Sequence, residues 1–140
     1  MKGLATLIKL HKRTLDELRR RMVNLENQKS ELQRLSTALN EELRTEMALA
    51  TKTAEMRNFF GDFAKRIKAR QDKIASEIIA LDKQMERLRI EISEAFTELK
   101  KFEIAQENAK LREKEAASRK ETIEMDEIAA QQYSRKTEDQ

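Results

Sequence analysis

Histidine occurs once in this chain, at His11, and cysteine not at all. Without a thiol there is no cysteine nucleophile, no thiolate metal site and no disulfide, a usage that fits a reducing compartment. One imidazole cannot supply the paired histidines of a zinc-binding HExxH helix, and no glycine-rich phosphate loop is present. Carboxylates are plentiful but spread out, with no pair that composition would gather into a pocket. His11 itself reads as a tolerated polar residue on a helical stripe rather than a ligand or base. No catalytic residue, metal ligand or cofactor is therefore expected, and the chain is not read as an enzyme.

Two other groups have chemical character. Arg19, Arg20 and Arg21 form a basic run, with Lys9, Lys12 and Arg13 just upstream. A zipper-type DNA binder carries such a run ahead of its heptads, on a helix free to enter the major groove. Here the arginines lie inside the heptads beside Leu18 and Met22, so they read as a solvated flank, with docking to an acidic protein surface as the other use. Specific nucleic-acid binding is not expected, and the near-balance of 29 basic and 26 acidic residues, net +3, agrees. The second group is Phe59, Phe60 and Phe63 around Gly61, with Ile67 one turn on and Lys65, Arg66, Lys68 and Arg70 nearby. It reads either as a local cluster sealing a turn or as an exposed anchor for a partner, a role that suits aromatic side chains.

The elements that must position these groups follow from periodicity. Alternating steps of three and four link Leu4, Ile8, His11, Leu15, Leu18, Met22, Leu25, Lys29, Leu32, Ser36, Leu39 and Leu43. The stripe resumes at Phe60, Ala64, Ile67, Gln71, Ile74, Ile78, Leu81, Met85, Leu88, Ile92, Ala95, Leu99 and Phe102. Such a stripe stays on one face of an under-wound helix and must be buried against another helix. Charged residues make up 39% and aromatics 4%, with two glycines and no proline, as in coiled coils. The apolar runs are too short for a membrane span, and no secretory leader pattern opens the sequence.

Between Leu43 and Phe60 the stripe positions hold Glu46, Ala50, Thr53 and Arg57, and three threonines cluster nearby. The pattern predicts helix one over about 4–46, a turn over about 47–56 and helix two over about 58–132, with a frayed tail over 133–140, all in one coiled-coil domain, 1–140. Thr53 or Asn58 is the expected cap of helix two. The fold expected is all-α: an antiparallel two-helix hairpin with an extended C-terminal helix, the alternative being a continuous helix in a parallel dimer. Folding back near residue 50 would set positions whose numbers sum to about 100 opposite one another, so that Lys29 faces Gln71 as a register-setting polar layer. A parallel dimer would instead oppose Lys29 to itself. Beyond about residue 103 no intramolecular partner is expected; that stretch would hold its helix through propensity and pairs such as Glu115–Arg119.

Three segments carry a resemblance: GLATLIKLHKRTLDELRRR (Gly3–Arg21), SEAFTELKKFEI (Ser93–Ile104) and KETIEMDEIAAQQYSRK (Lys120–Lys136), with MDEIA (Met125–Ala129) the most specific mark. They are similar to the FliJ family of the bacterial flagellar export apparatus, which belongs with the central-stalk proteins of type III secretion. The resemblance implies a coiled coil like that of a rotary-ATPase gamma subunit, inserted into the hexameric export ATPase and touching the cytoplasmic domain of the export gate. A link to export chaperones and a cytoplasmic location, peripheral to the inner membrane, are also implied. By that resemblance, Arg112, Lys114, Arg119, Lys120, Met125 and Asp126 would face the ATPase ring, and Phe63 and Ile67, with Phe59, would face the gate. Family members often carry tyrosines where this chain has Glu42 and Glu46.

Overall fold

The computed structural model describes residues 2–138. It is an all-α helical hairpin: α1 spans Lys2–Ala50 and α2 spans Ala54–Glu138. The turn is only Thr51–Thr53, shorter than the window the sequence suggests. Three contacts, two of them made by threonine hydroxyls, explain how it closes so tightly. The Thr51 hydroxyl donates to the Ala48 carbonyl at 3.0 Å, and the Lys52 amide to the Leu49 carbonyl at 3.3 Å, occupying two of the carbonyls left free where α1 ends. Thr53 then caps α2, its hydroxyl accepting the Met56 amide at 3.1 Å, while Glu55 sits favourably in the first turn. No described residue has a positive φ, so the turn has no need of glycine.

The chain divides into two compact units, Arg13–Phe96 and the pairing of Met1–Lys12 with Thr97–Gln140. In the first, Leu39, Ile67 and Ile74 form a buried cluster, with Leu32, Leu35, Leu43, Phe63 and Ile78 packed against it. All but Leu35 and Phe63 are stripe residues, and together they bury one seam between α1 and α2. Two polar contacts fix the register. Lys29 Nζ lies 2.7 Å from Asp82 Oδ1, and the Gln71 amide donates to the Asn40 side-chain oxygen. Both pairs of numbers sum to 111, not 100. Lys29 therefore does not face Gln71; each of these polar seam residues has a different partner from the one expected. The displacement of about eleven residues is about three helical turns, so the apolar stripes remain in phase after it.

In the second unit, Ile8 and Leu99 are buried and the His11 ring stacks on Phe102, with centroids 4.8 Å apart and planes at 26°. His11 is half-buried on the seam, as its place in the stripe implies. Cover by α1 lasts longer than the sequence suggested, since Gln106 and Ala109 are still half-buried. From Lys110 to Glu138 every described residue is exposed, yet all are helical, including the stretch from Tyr133 expected to fray. The helix is held there by propensity and by threonine hydroxyls returned to the carbonyl four residues back, Thr122 to Ser118 and Thr137 to Tyr133. The expected Glu115–Arg119 ion pair does not form among the described residues. At Gly61, a Cβ would meet nothing within 4 Å.

Candidate partner-binding surfaces

Two surfaces stand out once the seam is accounted for. The first lies at the turn. Met56 and Phe59 are exposed there, and with Leu49, Ala50 and Phe60 they line an open cleft. Glu46 and Glu55 stand at its edge. Phe59 is 62% exposed. Phe63 is half-buried against the seam cluster. Ile67 is a correction: at 4% exposure it belongs to the buried cluster with Leu39 and Ile74 and offers no surface to a partner. Its stripe position already put it on the seam, and burial prevailed over the family resemblance.

Leu49, Met56 and the exposed Met47 were not singled out from sequence. Their signal was available: large apolar residues off the stripe, close to a turn, have no seam to enter. Glu46, where the family often has tyrosine, proves to be a residue of the cleft itself.

The second surface is the bare part of α2. Arg112, Lys114, Arg119, Lys120, Met125 and Asp126 are all exposed there, Met125 at 70%. Leu111, Ile123, Ile128 and Tyr133 are exposed beside them, so the helix displays isolated apolar side chains among mixed charges. Nothing intramolecular covers them. The two surfaces belong to different units.

Among the described residues, no cluster of three histidine or acidic side chains is placed to hold a metal ion, and no buried side-chain polar atom lacks a partner. On an exposed face of α1 the guanidinium of Arg34, through its hydrogen bonds and charge, holds the Glu31 carboxyl below its ordinary value. What both surfaces can do is bind: apolar side chains exposed on helices, with charge around them, are the ingredients of helix-mediated recognition.

A family model described as the flagellar FliJ protein matches residues 1–138. The chain belongs to the FliJ family. No curated protein and no solved structure matches it. As a FliJ-family chain it is a component of flagellar-type protein export, and its helical hairpin agrees with the coiled coil that the resemblance implied. No described helix is long and apolar enough to cross a membrane.

Proposed function

We propose that this FliJ-family chain is a non-enzymatic coupling stalk of the export apparatus. The bare part of α2 enters the hexameric export ATPase, and the turn presents its apolar cleft to the cytoplasmic domain of the export gate. The observation that carries this reading is the continuous exposed helix from Lys110 to Glu138. A helix of that length with no intramolecular cover and with apolar side chains on its surface is suited to be gripped by a partner. Arg112, Lys114, Arg119, Lys120, Met125 and Asp126 are its ring contacts in this reading, and Phe59 with Phe63 its gate contacts. Contact with export chaperones, and residence in the cytoplasm at the inner face of the membrane, belong to the same reading.

The mechanism is one of symmetry mismatch. A single asymmetric helix inside a six-fold ring touches unlike subunits differently, and any ring state that binds it better becomes more populated. The chain thereby biases which subunit binds or hydrolyses ATP while making and breaking no bond itself. Mixing the chain with the export ATPase should promote hexamer formation and raise ATP turnover. A chain lacking residues 121–140 should do neither; undiminished stimulation would remove the assignment.

A further inference from the structure

The arginine run of α1 has no part in either surface above. Arg13, Arg19, Arg20 and Arg21 are exposed, and none is ion-paired among the described residues, although Asp16 and Glu17 lie within the run. Arg34, Arg44 and Arg89 are different, for each is paired with a glutamate three residues earlier. The unpaired guanidinium groups are not confined to one helix. Arg87 of α2 is also unpaired, and it lines the same groove as Arg21. Beside these two arginines the groove carries three carboxamides, from Asn24, Gln28 and Gln84, and one carboxylate, Glu91, over a floor of half-buried Leu25 and buried Leu88. Asn24 also borders an adjoining cleft with Arg19 and Arg20, so the donor-rich surface continues around α1.

The chemistry selects the occupant. A guanidinium fork matches a carboxylate in two parallel hydrogen bonds, and carboxamides add donors that do not repel one another. The apolar floor has room for the methylenes or an aliphatic side chain of a peptide. Residues 21–28 cover about 10 Å of helix at 1.5 Å per residue, two turns of a partner helix, so carboxylates one or two turns apart can reach the groove. A nucleic-acid backbone fits less well, because Asp16, Glu17 and Glu91 interrupt the positive charge that a run of phosphates needs. We propose that the groove between Arg21 and Arg87 docks an acidic helical segment of a protein partner, its carboxylates held by these two arginines. This goes beyond the stalk reading, since it uses neither the turn nor the bare helix.

The test uses the full chain and a fluorescein-labelled helical peptide of alanine and leucine bearing glutamates one turn apart, followed by fluorescence anisotropy. Controls are the same peptide with glutamine for glutamate and a single-stranded oligonucleotide. The glutamate peptide should bind, and Arg21→Gln or Arg87→Gln should each weaken it by about tenfold, as for loss of a charge-assisted hydrogen bond. Arg135→Gln, an equal change in net charge on the bare helix, should leave binding within about twofold. All three side chains are exposed, so circular dichroism melts should coincide with the parent. No binding, equal binding of the glutamine peptide, or an equal loss in Arg135→Gln overturns the proposal. Tighter binding of the oligonucleotide also overturns it and assigns the groove to phosphates.

Discussion

Lys29 on α1 reaches Asp82 on α2, Nζ to Oδ1 2.7 Å, and with Gln71 on Asn40 it sets how far one helix is advanced along the other. The two side chains are 31% and 48% exposed, so the pair is worth little as stability, about 1 kcal/mol at most, while still choosing among registers that bury similar apolar area. Reversing both charges, Lys29→Asp with Asp82→Lys, should restore the melting temperature lost in either single reversal. A double variant no better than the worse single would dissociate the pair from the register.

The register can be read directly, since the chain is free of cysteine. Ser36→Cys with Ala75→Cys, whose numbers sum to 111, should show a short spin-label distance. Ser36→Cys with Ala64→Cys, the pairing a sum of 100 requires, should not. The opposite result would restore the register expected from sequence.

Stability and partner binding should separate at two residues eight positions apart. Ile67→Ala removes buried methyl groups from the cluster around Leu39 and should cost about 2–4 kcal/mol in chemical denaturation. Phe59→Ser, at an exposed position, should change stability by about 0.5 kcal/mol or less. If the turn contacts the export gate, only Phe59→Ser should weaken a pull-down of the gate's cytoplasmic domain with the fold intact. Full retention would remove the turn from the gate assignment.

Removing residues 121–140 should leave the unfolding transition of the paired helices almost unchanged, because nothing packs on that stretch. Hydrogen exchange should give the same division: amides beyond Lys110 should exchange faster than those of Leu81–Leu88, whose seam residues are buried. Protection of the distal segment in the isolated chain would indicate self-association through it.

The Glu31 carboxyl, held below its ordinary value first by the hydrogen bond from Arg34 and then by its charge, should titrate below the ordinary glutamate range by NMR. The direction of linkage follows from the depression. The favourable contribution is present above the unfolded carboxyl's pKa and is lost as pH falls through the folded one. Arg34→Gln should return Glu31 to the ordinary range; an unmoved titration would assign the shift elsewhere.

Much of this was legible in the chain. Phase continuity of the apolar stripe gave the helices and their seam, and the polar Lys29 spoke against a parallel pair. The register was not legible, because Leu39 meets an equally apolar partner after a slide of three turns, and only Asp82 and Asn40, which lie off the stripe, tell the two arrangements apart. Everything that depends on the slide was displaced with it. Half-burial extends to Ala109, past the expected limit near residue 103, and Met56 and Phe59 are left bare at the turn. Thr53 was foreseen as one of two caps; the tightness of its turn was not, because the hydroxyl bonds of Thr51 and Thr53 close it without glycine. The groove residue Arg87 drew no attention because it sits among alternating charges in sequence, and only packing brings it to the same groove as Arg21.

Gly61 lies about two turns into α2, where an alanine methyl group would have open space around it. Alanine there should strengthen the helix by about 0.5–1 kcal/mol, since glycine retains backbone freedom that helix formation must remove. A weak link is thus stationed just behind the cleft, and it lets the opening turns of α2 cant toward whatever they touch.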